Sequence, residues 1–164
     1  KEGRKKIFDY FRKLYTAIND TKNGSSLLTP FIDGLCMGSA ASFAVNCPAT
    51  ACGPKADLCW PETAFGFHPH AGAMHILNTL PRNIGVFMAL TGSRLTGHSI
   101  VEAGLGNFSF TEELIQSMQI ALDERKYRGF DEGYKVLRMM DGYSKGPFEL
   151  LPHLDVIERC FGKP

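Results

Sequence analysis

Glu62, His70 and Ser39 are the residues of this chain best equipped for chemistry, and two of them share one short loop. Glu62 and His70 stand eight positions apart in Trp60-Pro61-Glu62-Thr63-Ala64-Phe65-Gly66-Phe67-His68-Pro69-His70-Ala71-Gly72. A carboxylate and an imidazole are the side chains that most often move protons near neutral pH. The hydroxyl of Ser39 or Ser42 could serve as a nucleophile, but neither sits in a G-x-S-x-G elbow. The plainer reading of Gly38-Ser39-Ala40-Ala41-Ser42 is a small-residue helix start packed against a strand. For Glu62 the plainer reading is an N-cap or loop carboxylate before Thr63. His68, His70 and His75 have no Cys or carboxylate at ligand spacing other than Glu62, so no metal site is expected. Trp60, the one tryptophan, reads as core, and Arg94 as the partner of an acidic residue or a helix end.

The gross numbers are those of one ordinary globular domain: 164 residues, 44% hydrophobic and 21% charged. Eighteen basic residues against seventeen acidic ones give a net charge of +1, which offers no electrostatic footprint for nucleic acid. The cluster Lys1, Arg4, Lys5, Lys6 reads as a solvated helix start. No apolar run approaches the roughly 18 residues of a membrane span. The five cysteines, Cys36, Cys47, Cys52, Cys59 and Cys160, form no C-x-x-C pair, so unpaired thiols in a reducing compartment are expected.

Positioning the loop requires the elements around it. Ile7, Phe11, Leu14 or Tyr15, and Ile18 recur at helical spacing and predict a helix over 3–20 with one buried face. After the turn Asn23-Gly24-Ser25-Ser26, Leu27 to Ile32 reads as a short strand, Gly34 to Gly38 as a turn, and Ser39 to Val45 as a helix. Gly53-Pro54-Lys55 splits 49–60 into two consecutive strands, and 61–69 reads as a tight loop. Helices are expected at 71–80, 84–90 and 99–103, followed by a strand at Phe108-Ser109-Phe110. Three helical patterns follow, at 111–125, 130–140 and 148–161.

The loop around Glu62 resembles the segment M-P-E-T-A-I-G-L-F-P-D-V-G of 3-hydroxyisobutyryl-CoA hydrolases, members of the crotonase (enoyl-CoA hydratase/isomerase) superfamily. Upstream, Phe31-Ile32-Asp33-Gly34-Leu35-Cys36-Met37-Gly38 is similar to that family's A-L-I-x-G-I-x-M-G-G-G. Downstream, Ala89-Leu90-Thr91-Gly92-Ser93-Arg94-Leu95-Thr96-Gly97 is similar to A-L-T-G-x-R-L-x-G, and the blocks follow without gaps from about Phe11 to Phe110. The resemblance implies an α/β fold, a partial crotonase-type ββα spiral over 1–110 with a helical C-terminal region over 111–164 that packs on the core or on a partner. An incomplete spiral leaves strand edges and apolar surface for a partner to cover, so the isolated chain is expected to be a poor monomer.

The same resemblance assigns site roles and shows where they have changed. It makes Glu62 the vestigial base, and the Ser39 N–H one of two oxyanion donors. The other donor belongs to a Gly-Gly-Asp-type loop that this sequence does not contain. His70 stands where the family has Asp, and Leu14, in Phe11-Arg12-Lys13-Leu14-Tyr15, stands where it has the Glu of F-R-x-E-Y. Ser39 and Glu62 are expected on opposite walls of one pocket, with Leu14 in its lining and His70 near its mouth. Of the transferred positions Glu62 alone keeps its residue type, which implies a pseudoenzyme without cofactor, a CoA thioester being bound only if the ancestral site survives. The resemblance includes the hydrolase-like subunit of the mitochondrial ribosomal small subunit. It therefore implies a structural role in the mitochondrial matrix, with other protein subunits as partners and rRNA as a peripheral contact. The competing expectations are an active or residual acyl-CoA thioester hydrolase or enoyl-CoA hydratase using Glu62, and a noncatalytic acyl-CoA sensor.

Overall fold

The computed structural model describes residues 2–23, 28–114, 116, 130–140 and 146–162. The chain opens with helix α1 (Glu2–Asn23) and then lays down strands in pairs. Strands β1 (Phe31–Ile32) and β2 (Leu35–Met37) are separated only by Asp33 and Gly34, and helix α2 (Ser39–Asn46) follows. The expected turn at 34–38 is thus mostly strand: Leu35–Met37 pairs in parallel with β4 (Asp57–Cys59), Cys36 opposite Leu58. Two glycines suggested a turn, but backbone pairing across the sheet decides the conformation.

The pattern repeats one turn later. Strand β3 (Ala51–Cys52) runs parallel to β1 in one sheet, and β4 parallel to β2 in the other, so each strand pair straddles two sheets. The first sheet closes with β6 (Phe108–Ser109), giving the order β1-β3-β6 with every pair parallel. The second closes with β5 (Leu95–Thr96) antiparallel to β4, order β2-β4-β5. Asp33 ties the two turns together, its carboxylate accepting the Lys55 N–H at 3.1 Å.

Between β4 and β5 lie a 3-10 turn at Pro61–Phe65 and the helices α3 (Ala73–Leu77) and α4 (Ile84–Thr91). Helix α3 is shorter than expected because Ala71 and Gly72 both take positive φ and fix its start. Gly85 lets α4 press against α3: a Cβ there would lie 1.7 Å from the Leu77 carbonyl oxygen. Helix α5 (His98–Glu102) leads into β6. The main core gathers Leu58, Trp60, Leu77, Ile84, Met88, Leu95 and Ile100 between the sheets and these helices.

Helix α6 (Phe130–Met140) packs Leu137 and Tyr134 onto the Phe108 and Phe110 of the parallel sheet, with Phe31 beneath. Helix α7 (Leu154–Phe161) buries Leu154 and Ile157 against α4 and the turn before it. It begins later than the sequence pattern suggested, since Pro152 confines the preceding turn to 3-10 geometry. Most of the helix expected at 111–125, and the turn expected at 23–26 beyond Asn23, lie outside the described residues.

Helix α1 departs furthest from expectation. Its predicted buried face buries only Ile18, whereas Ile7 is 59% exposed, Phe8 65% and Tyr10 60%. The reason is geometric: α1 packs on α2 and, through Phe11 and Tyr15, on His70, while residues 2–8 are all exposed.

Candidate functional site

Strand β2 delivers the chain to the site, and Gly38 turns it into α2. Gly38 holds φ +58°, and a Cβ there would stand 3.1 Å from Glu62 Oε1, so backbone conformation and close approach both call for glycine. Its N–H bonds the Cys59 carbonyl at 3.0 Å, pinning the turn to the end of β4. Ser39 is therefore the first residue of α2. The first ladder bond of that helix runs from the Ser42 N–H to the Gly38 carbonyl at 2.9 Å, so the N–H groups of Ser39, Ala40 and Ala41 precede the ladder.

Glu62 arrives from the other side. It is not a cap, as the loop reading had it, but lies inside the 3-10 turn with its side chain 3% exposed. Neither carboxylate oxygen has a hydrogen-bond partner among the described residues. His70 Nδ1 lies 3.4 Å from Glu62 Oε1, close but without hydrogen-bond alignment. The other ring nitrogen, Nε2, is 3.1 Å from Ser39 Oγ. His70 thus touches both Ser39 and Glu62, and Glu62 Oε1 also closes on Gly38, so the expected site positions come together at the start of α2.

Several contacts hold His70 there. Ser42 Oγ lies 2.8 Å from the His70 carbonyl and accepts the Trp60 indole N–H at 3.0 Å. That bond gives the buried Trp60, a core residue as expected, its polar partner. The rings of Phe11, Tyr15 and Phe67 stand edge-on to the imidazole, with centroids 5.8, 6.4 and 5.3 Å away. Leu14 is half-buried on the same helix as Phe11 and Tyr15. A cavity of about 250 Å³ between α1 and α2 is lined by Tyr15, Ile18, Asn46 and His75 among others, and one of about 350 Å³ lies beside β1 and β2. Neither takes Ser39, Glu62 or His70 into its lining.

Arg94 pairs with Asp57, its Nε donating at 2.9 Å, and so clamps β5 to β4 away from the site. Burial pushes the Cys59 thiol up; the Arg94 guanidinium opposes this, and Asp57 and Glu62 add to it. The His70 contact with Ser39 spans 31 positions, and no motif spacing announces it. The glycine–serine start of a helix was legible, but without G-x-S-x-G it singled out no nucleophile.

Residues 1–164 match the family model described as enoyl-CoA hydratase/isomerase, and the chain belongs to that family. It is 30% identical over 165 residues to the mitochondrial 3-hydroxyisobutyryl-CoA hydrolase of Xenopus tropicalis, covering 98% of this chain and 43% of that protein. It is also 26% identical over 172 residues to small ribosomal subunit protein mS47 of Neurospora crassa, covering 98% of this chain and 34% of that one. Among solved structures, an enoyl-CoA hydratase from Rhodobacter sphaeroides superposes with a TM-score of 0.80 at 22% identity, over 94% of this chain and 43% of that one. The fold is thus a partial crotonase fold, and the chain spans less than half the length of these relatives.

Proposed function

We propose that this chain is a catalytically degenerate 3-hydroxyisobutyryl-CoA hydrolase-like protein serving as a structural subunit of a mitochondrial assembly, the small subunit of the mitochondrial ribosome. One observation supports the loss of hydrolase activity: the Glu62 carboxylate is buried, 3.4 Å from the imidazole of His70, which stands in place of the family's second carboxylate. A base for thioester hydrolysis must reach the water or hydroxyl it deprotonates, and Glu62 is only 3% exposed. Where the second carboxylate would stand there is also His70. A lost acid or base costs on the order of 10² to 10⁴ in rate.

The similarity to a mitochondrial ribosomal protein supports the assembly, and the similarity to a mitochondrial hydrolase supports the compartment. In this reading residues 1–110 form the core, and 111–164 a helical region that packs on it or on a partner. The open apolar stripe Ile7, Phe8 and Tyr10 of α1 supports contact with protein. A net charge of +1 supports protein neighbours with rRNA only at the periphery. The retained Pro61-Glu62-Thr63 and the unladdered N–H groups of α2 favour a second reading, a residual acyl-CoA hydrolase or hydratase.

Gradient sedimentation of a mitochondrial lysate containing the tagged full-length protein tests the assembly. The expected result is migration with small-subunit rRNA, and collapse to lighter fractions when that rRNA is digested. Migration as a small free protein under both conditions would overturn the proposal.

A further inference from the structure

The chain Ser39 Oγ, His70 Nε2, His70 Nδ1, Glu62 Oε1 has the order of a nucleophile, its base and the carboxylate that orients the base. We propose that Ser39 is a nucleophile, activated by His70 and Glu62, that takes an acyl group from a small uncharged ester. This goes beyond the structural-subunit reading and does not depend on it.

Three features of the site converge on Ser39. Glu62 is buried, lacks any hydrogen bond among the described residues, and has Oε1 3.4 Å from His70 Nδ1, which is likewise without a hydrogen bond. A carboxylate only accepts, so it favours the tautomer protonated at Nδ1 and leaves Nε2 to accept the Ser39 proton. Ser39 itself is half-buried and so can be reached by a small molecule. Finally, the N–H groups of Ala40 and Ala41 lie ahead of the helical ladder of α2, immediately after the hydroxyl. Backbone N–H groups in that position stabilise an oxyanion on an acyl carbon bonded to Oγ. The rings of Phe11, Tyr15 and Phe67 around His70 suit an apolar acyl group, and the buried Glu62 carboxylate disfavours an anionic one.

The step balances without a co-reactant. Ser39 Oγ adds to the ester carbonyl carbon while its proton passes to His70 Nε2. The tetrahedral oxyanion collapses, the bond to the leaving alkoxide breaks, and Nε2–H protonates that alkoxide. The product is an alcohol and an acyl-Ser39 ester. Water then repeats the sequence, with His70 taking its proton, and releases the carboxylic acid.

The test treats the full-length protein in its native assembly with diisopropyl fluorophosphate and, separately, with p-nitrophenyl acetate. Peptide mass spectrometry is expected to find the diisopropylphosphoryl adduct on Ser39, and nitrophenolate release to depend on Ser39. Ser39→Ala should abolish both, His70→Asn should slow labelling on the order of 10²-fold or more, and Glu62→Gln should slow it at least about tenfold. A Ser39→Cys version gives a second readout: its alkylation by iodoacetamide should slow when His70→Asn is added. Absence of an adduct at Ser39, or labelling and alkylation rates indifferent to His70, would overturn the proposal. Those failures would leave the sedimentation result untouched, so the two readings fail separately.

Discussion

The Ser42 hydroxyl links the core to the site, because it accepts the Trp60 indole N–H and meets the His70 carbonyl. Ser42→Ala leaves that N–H buried without a partner, which costs about 1–3 kcal/mol. Trp60 is the only tryptophan, so its fluorescence during denaturant unfolding reports the loss directly; a change within a few tenths of a kcal/mol would contradict this account. The thiols give a second prediction. Burial pushes Cys36, Cys47 and Cys59 up, and Cys52 up to about 12, with a small further push on Cys52 from Cys36. The folded chain then holds protons that the unfolded chain releases, so this contribution is complete below the ordinary thiol range and fades as pH rises through it. Midpoints of unfolding should fall between about pH 9 and 12, and replacing Cys52 with Ala should flatten that fall. At neutral pH iodoacetamide should modify the exposed Cys160 while sparing Cys52 until the chain unfolds.

Helix α4 depends on Gly85, where an added Cβ would overlap the Leu77 carbonyl. Gly85→Ala must part α3 from α4 at a cost of about 1–3 kcal/mol or more. Gly34→Ala, with nothing within 4 Å of its Cβ, should stay within about 0.5 kcal/mol of the parent. Thermal melts of the two variants side by side check both. At this scale much was legible in the sequence: α6 by its apolar face, α4 and α5 by the proline and glycines that punctuate them, α2 by the turn before it, and Gly53-Pro54-Lys55 does separate β3 from β4. Strand β2 was not legible, because residues 35–37 between two glycines acquire their conformation from pairing with β4. The open face of α1 was not legible either, since spacing shows that a stripe exists and not what lies beneath it. Among the site residues, Glu62 and His70 stood out by type and position. Their meeting with Ser39 depends on how β2 and the 3-10 turn face each other, which no local pattern encodes.

At the scale of the whole molecule, two sheets of short strands enclose the main core, a second apolar cluster joins the parallel sheet to α6, and α7 adds Leu154 to the main core. The crotonase fold is kept, and an imidazole touches both a buried carboxylate and the serine that opens α2. The proposed loss of 3-hydroxyisobutyryl-CoA hydrolysis is the central claim, and free CoA release tests it most directly. The native assembly and its Glu62→Gln counterpart are each given 3-hydroxyisobutyryl-CoA, and thiol appearance is followed. Both should remain at the uncatalysed background, with assembly intact in each. Release well above background that disappears in Glu62→Gln would show a working base and contradict the account.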